Sequence, residues 1–326
     1  MMKSDKVALK CVLVAEAGRL CLPVITALVE LGIVINEVWC AKPEKYEARN
    51  FWRSITSSKE RKYRHTITAE LHKHGIKVVK VSKPYSKSLN HLTKQSDGFD
   101  FLICAGSNII FPKEFLDKFE GRAFNLHPAL LPSYRGPKPL HAMILHGVED
   151  LYGGMTLHLL SEEIDAGNIV SQKRLPLKDS KHSDWTKAVI DLSKPLIKES
   201  LLPFLSGEIK SYPQDEKKAI YYSNADIPEF IDKTMSFSEA DTFSKKAHRF
   251  TRNLIVEYDD SNGATRRKRI YGAPTRLGPK SSHPPKKTMF RLEMDLIDCR
   301  VEFKVDHRLR RHLNKFLKKL RLNKLT

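Results

Sequence analysis

The stretch Phe124-Asn125-Leu126-His127-Pro128 ends in an Asn-x-His pair. The period-2 alternation of a strand puts those two polar side chains on one face. Pro128 then stops the ladder. An amide donor beside a titratable imidazole can meet a developing negative charge and exchange a proton. Leu130-Leu131-Pro132-Ser133-Tyr134-Arg135-Gly136-Pro137 follows as a rigid turn that would fix their geometry. Asp165 sits farther on, in the glycine-containing loop from Ser161 to Asn168, from which a carboxylate can be brought to the imidazole. Taken alone, a histidine after a strand is more often a hydrogen-bonded structural residue, so the residues by themselves leave both readings open.

Such a pair needs a sheet edge to hold it, and the preceding sequence supplies one. Val7 to Ala15 is an apolar, β-branched-rich run, followed by a helix-like stretch from Leu20 to Leu31 that Gly32 closes, and by a second run from Ile33 to Cys40. Thr66 to His74, closed by Gly75, and Ile76 to Val81 repeat that grammar. Phe99 to Cys104 and Ala123 to Leu126 are further short strands around an amphipathic stretch from Lys113 to Phe119. This alternation predicts an α/β fold: a Rossmann-like, mostly parallel sheet with helices on both faces, whose ligands sit at the carboxyl ends of the strands. Met155 to Leu159 and Ile169 to Leu175 read as an antiparallel pair, and Trp185 to Leu205 as one long helix. The texture changes near 206, so 1–205 is expected to be the catalytic domain and 206–326 a small, basic C-terminal subdomain and tail. Within the latter, Gly278 to Lys287 reads as a linker.

Composition narrows the classes. With 41% hydrophobic and 29% charged residues among 326, the chain is neither disordered, collagenous nor a disulfide framework. Five cysteines without a C-x-x-C pair argue against a zinc site, and no metal is expected. Glu16-Ala17-Gly18-Arg19 has one glycine where a dinucleotide fingerprint needs three, which sets a dehydrogenase aside. No apolar run approaches the roughly 18–20 residues that span a bilayer. The N-terminus carries no apolar leader pattern, and a cytoplasmic location is expected. The charge is +19 and lies mainly in the tail: from Ser261 onward there are nineteen Lys and Arg against five Asp and Glu. An anionic partner is expected there.

Asn125-x-His127-Pro128-x-Leu130-Leu131-Pro132-x-Tyr134-Arg135-Gly136, with Gly154-x-Thr156-x-His158 and Ile164-Asp165-Ala166-Gly167-x-Ile169, resembles the folate-dependent formyltransferase family. Glycinamide ribonucleotide, methionyl-tRNA and amino-sugar formyltransferases are its members. The resemblance covers about residues 7–205. It implies a catalytic triplet of Asn125, His127 and Asp165 and 10-formyltetrahydrofolate as co-substrate. It also implies a folate pocket lined by Asn108, Ile109, Ile110 and Phe111 on one side and by Ser161, Glu162, Glu163 and Ile164 on the other. Formyl transfer passes through a tetrahedral carbon bearing an oxyanion. The Asn125 amide and a protonated His127 are expected to donate to that oxygen while Asp165, His127 or a water accepts the amine's proton. The carboxylate is expected to raise the His127 pKa.

The expected acceptor is a small-molecule amine, phosphorylated or nucleotide-linked, with an amino sugar preferred. Glycinamide ribonucleotide enzymes carry Gly-Ser-Asn after the first strand, and methionyl-tRNA enzymes Gly-Thr-Pro there and Arg-Gly-Ala-Ala-Pro-Ile after the turn. This chain has Glu16-Ala17-Gly18-Arg19 and Arg135-Gly136-Pro137-Lys138-Pro139-Leu140. The alternatives are a methionyl-tRNA formyltransferase and a non-catalytic RNA- or membrane-binding relative. Two features bear on them. Arg266-Arg267-Lys268-Arg269 either grips RNA phosphates or forms the edge of a solvated hairpin. The stripe Leu309, Leu313, Phe316, Leu317, Leu320 predicts a terminal helix that packs on the protein, lies on an anionic membrane or binds RNA. The residues do not speak to oligomeric state.

Overall fold

The computed structural model describes residues 8–46, 58–95, 98–175, 182–224, 226–247, 254–281, 283–288 and 291–305. The terminal stripe from Leu309 to Leu320 lies outside them. Contacts divide the chain into two compact units, one of residues 1–143, 148–180 and 184–224, the other of 225–326 with the short pieces 144–147 and 181–183.

The first unit is built on a seven-stranded sheet. In chain order the elements are β1 (Lys10–Ala15), α1 (Cys21–Glu30), β2 (Val34–Cys40), α2 (Ser58–Lys73), β3 (Lys77–Lys80), α3 (Tyr85–Gln95), β4 (Phe101–Ala105), α4 (Lys113–Leu116), β5 (Ala123–His127), α5 (Pro139–His146), α6 (Glu149–Tyr152), β6 (Gly154–Leu159), β7 (Ile169–Arg174), α7 (His182–Asp191) and α8 (Ser193–Leu205). The strand order is β3-β2-β1-β4-β5-β6-β7. The first five strands run parallel, while β6 and β7 are antiparallel to their neighbours. Strand order reverses between β1 and β4, which makes their carboxyl ends the switch point where α/β sheets bind ligands.

Alternation along the strands divides the core. Val12, Val14, Leu102, Cys104 and Ala123 share one face and pack with Trp39, Leu89 of α3 and Phe115 of α4. Phe124 points the other way, edge-on to Phe101 at 6.0 Å and to Phe204 of α8 at 5.5 Å, and α8 packs against α1. Helices thus cover both faces, as the alternation of elements predicts.

The expected single helix from Trp185 to Leu205 is two helices broken at Leu192. Pro195 has no N–H to carry the α7 ladder forward, and the Ser193 hydroxyl donates to the Ile190 carbonyl at 2.7 Å, satisfying a group the break exposes. Residues 206–224 remain with the first unit, because they pair onto it: Tyr212 bridges Ile169, and Tyr221 bridges Arg135.

The second unit contains α9 (Phe237–Ala247) and β8 (Ile255–Asp259), β9 (Thr265–Gly278), β10 (Lys286–Lys287), β11 (Arg291–Asp295) and β12 (Arg300–Val305), in an antiparallel sheet ordered β10-β11-β12-β9-β8. Val256, Ile270, Leu292, Met294, Val301 and Phe303 form its core with Phe243 of α9. Three of the expected linker's residues are strand instead: Gly278 ends β9, and Lys286 and Lys287 pair to Glu293 and Leu292. The four adjacent cations of 266–269 do not form one patch, since strand alternation sends neighbours to opposite faces. Arg266 pairs with Asp260 at 2.8 Å, and Arg267 pairs with Glu257 at 2.7 Å while lying over the Phe230 ring.

Trp39 and Trp185 are buried in the first unit, so their fluorescence follows its unfolding. Phe124→Ala removes a fully buried ring and should lower that unit's stability in urea by about 3–5 kcal/mol. A loss below about 1 kcal/mol would show that Phe124 does not anchor β5.

Candidate active site

Strand β5 delivers the first two residues. Phe124 and Leu126 enter the core on one side, and Asn125 and His127 stand on the other. The antiparallel register of β5 and β6 sets His158 directly across from Asn125, and Thr156 across from His127. The Nδ1 of His158 lies 2.9 Å from the Leu159 carbonyl, which only accepts, so Nδ1 carries the proton. Its Nε2 then accepts from the Asn125 amide at 3.0 Å. His158 stands in the expected motif without a role there. The alternation of Thr156 and His158 along β6 is the signal that places it.

Asp165 completes the group from the loop after β6. Its Oδ1 accepts from Asn125 Nδ2 at 3.2 Å, its Oδ2 accepts from the Gly136 N–H at 2.9 Å, and Oδ2 stands 3.4 Å from His127 Nδ1. The structure therefore brings Asn125, His127 and Asp165 together. Asp165 adopts left-handed backbone with φ 56°, and so does Tyr134 with φ 61°, whose carbonyl accepts from His127 Nε2 at 2.8 Å. Two glycines are required for this approach. A Cβ at Gly136 would meet the Tyr222 carbonyl oxygen at 2.1 Å, and one at Gly167 would meet the Leu159 carbonyl oxygen at 1.9 Å. Thr156 holds the turn beneath: its hydroxyl donates to the Ala129 carbonyl at 2.6 Å and accepts from the Leu131 N–H at 3.2 Å.

The charge state of His127 differs from expectation. The side chain is 4% exposed, and burial pushes its pKa below 6.5 despite the opposing pull of Asp165. His127 is therefore neutral near pH 7, with its proton on Nε2 toward Tyr134 and an Nδ1 lone pair beside the carboxylate. Burial alone would raise Asp165, but His127, His158 and the Gly136 N–H hold its carboxyl well below the ordinary range. Two proton acceptors thus lie side by side. Cys104 also lines this cleft, but burial pushes its thiol up to about 12, which leaves it without nucleophilic character.

The group opens into a cleft of about 760 Å³ at the switch point. Asn108, Ile109, Ile110 and Phe111 line one wall and Ser161, Glu162, Glu163 and Ile164 another. The expected apolar lining is narrower than its residues suggest. Ile109 and Phe111 are committed to the core, where Phe111 stacks on Phe115 at 5.7 Å, while Ile110 is 60% exposed. Gly18, Arg19, Leu20, Tyr221, Ser223 and Asn224 also line the cleft. Tyr221, Ser223 and Asn224 come from residues that the sequence assigns to a separate C-terminal region.

Residues 53–198 match the family described as formyl transferase. The match takes in less than half of the chain and is what those residues are similar to. It is 35% identical over 128 residues to the methionyl-tRNA formyltransferase of Streptococcus thermophilus, a stretch covering 39% of this chain and 40% of that protein. It is 28% identical over 204 residues to the Halalkalibacterium halodurans enzyme of the same name, covering 62% of this chain and 60% of that one. The chain thus spans about half the length of these relatives. The fold is similar to that of a sugar N-formyltransferase from a Shewanella species, with TM-score 0.56 and 18% identity over 81% of this chain and 97% of that one. An N-formyltransferase from Helicobacter canadensis, in complex with folinic acid and dTDP-3-aminofucose, superposes with TM-score 0.52 and 16% identity over 92% of this chain and all of that one, 100%. Formyl transferase folds therefore frame the site on both counts.

The depressed His127 pKa has a measurable sign. As pH falls through 6.5 the unfolded chain takes up a proton that the folded site refuses, so stability drops with falling pH in that window. The slope of urea stability between pH 7 and pH 5.5 should be shallower in His127→Gln than in the parent. An equal or steeper slope in the variant would show that His127 is not held neutral.

Proposed function

We propose that the cleft transfers a formyl group from 10-formyltetrahydrofolate to a primary amine. The observation that carries this reading is the placement of Asp165 within 3.4 Å of both the Asn125 amide and His127 Nδ1 at the cleft's inner end. The volume falls within the roughly 300–1,000 Å³ of small-molecule sites. The exposed Ile110 and Ile164 side chains on the two walls suit the faces of a flat pterin. The folinic acid in the Helicobacter canadensis neighbour supports the same donor. When bound, the donor supplies a formyl carbon for attack by the amine, its bond to N10 breaking as tetrahydrofolate leaves.

The chain's own residues supply the proton acceptor and the donor. Neutral His127 takes a proton at Nδ1, and the adjacent Asp165 carboxylate stabilises the resulting imidazolium. The Asn125 amide donates two bonds within the cluster, and the longer, 3.2 Å to Asp165, is the one it yields to the formyl oxygen as negative charge develops there. Asn125→Ala, His127→Ala and Asp165→Asn should each lower turnover by about a hundredfold or more, the scale of losing such a group. Near-normal rates in folded variants would sink the assignment.

For the acceptor we favour a nucleotide-linked amino sugar. The support is the departure at Glu16-Ala17-Gly18-Arg19 and at Pro137-Lys138-Pro139-Leu140 from the methionyl-tRNA pattern. The 35% identity to a methionyl-tRNA formyltransferase favours the second reading, charged initiator tRNA. Release of tetrahydrofolate, followed with a panel of nucleotide-linked amino sugars and separately with the charged tRNA, decides between them. Turnover with an amino sugar is the expected result, and turnover with tRNA alone reverses the order.

A further inference from the structure

Gln214 lies outside the matched residues 53–198, in the stretch that the sequence assigns to the C-terminal region. Its side chain is nonetheless buried, and every bond its amide can make is made. The oxygen accepts from Arg135 Nε at 3.1 Å and from Arg135 Nη2 at 2.8 Å. The nitrogen donates to the Asp165 carbonyl at 2.7 Å and to the Gly167 carbonyl at 2.8 Å. Arg135 turns its remaining donors to Glu216, with Nη1 to Oε2 at 3.0 Å and Nη2 to Oε1 at 2.7 Å.

One amide therefore joins the two segments that must meet for chemistry. On one side is the turn whose Tyr134 carbonyl holds His127 and whose Gly136 N–H holds Asp165. On the other is the backbone of Asp165 itself, in the left-handed conformation that few residues other than glycine, asparagine and aspartate adopt. Pinning the carbonyls on either side of Ala166 fixes how that backbone aims its carboxylate. We infer that Gln214 is a positioning residue for the formyl-transfer reaction, acting through Asp165 by locking its loop to the Arg135 turn. The inference rests on the formyl-transfer reading and names a residue that reading does not include.

Two variants of the full chain test it. Gln214→Met keeps the length and removes all four bonds. Gln214→Glu keeps a partner for Arg135 and sets oxygen against two carbonyls. Both should lower kcat by about tenfold or more, the scale of misplacing a catalytic group, with the KM for the formyl donor shifting by less than about threefold. In an Asp165→Asn background the same changes should alter the single-turnover rate by less than about twofold, because residues acting as one unit are not additive. Wild-type kcat in Gln214→Glu, or undiminished losses in the Asp165→Asn background, overturns the inference.

A readout independent of turnover separates this from failure of the functional reading. His127 faces Asp165, His158 and Arg135. As the carboxylate withdraws in Gln214→Met, titration of the His127 ring followed by ¹⁵N NMR should move to lower pH. An unmoved titration overturns positioning whether or not the parent transfers formyl groups.

Discussion

One largely buried carboxylate sets the terms for the site. Asp165 is 11% exposed and charged, and a charge in that position is tolerated only where donors surround it. Asn125 and the Gly136 N–H supply them, and the rings of His127 and His158 stand at 3.4 and 3.6 Å. These groups come from β5, from the turn after it and from β6, so three segments must converge on one side chain. Convergence requires the β5–β6 register that pairs Asn125 with His158, left-handed backbone at Tyr134 and Asp165, and glycine where the chains touch at 136 and 167. None of these local choices is favourable alone, and together they hold two acceptors beside an amide.

The same carboxylate explains why the imidazole stays neutral beside a negative charge. Burial disfavours the imidazolium more than Asp165 favours it, and the Asp165 charge is already answered by the Asn125 amide and the Gly136 N–H. A proton acceptor poised this way suits an attacking amine that must lose a proton as its bond forms. A cationic His127 in the resting site would have no lone pair to offer.

Periodicity made the sheet readable. Short β-branched runs alternating with glycine-closed helices have few other solutions, and period 2 on β5 alone places Asn125 and His127 on one face. What escaped the sequence did so for different reasons. The break at Leu192 is a local signal, Pro195, overridden in the reading by continuous amphipathicity. β11 and β12 are too short and too charged on one face to stand out, yet they alternate cleanly once paired. The neutrality of His127 follows from burial, which no motif states. Gln214 leaves no trace at all, because its partners Arg135 and Asp165 lie 79 and 49 residues away.

That division also bears on substrate choice. Asn125, His127, Asp165 and both walls around them fall within residues 53–198, the part the chain shares with the formyl transferase family. Gly18, Arg19 and Leu20, with Tyr221, Ser223 and Asn224, bound the same cleft from outside it. Proteins can therefore share the inner chemistry and differ in part of the boundary that an incoming amine meets. Sequence likeness to methionyl-tRNA formyltransferases and fold likeness to sugar N-formyltransferases are then not in conflict, since neither a shared fold nor a shared inner site fixes the acceptor. The half-exposed ring of Tyr221, whose Cε2 a Cβ at Gly136 would meet at 3.4 Å, stands where those two parts join.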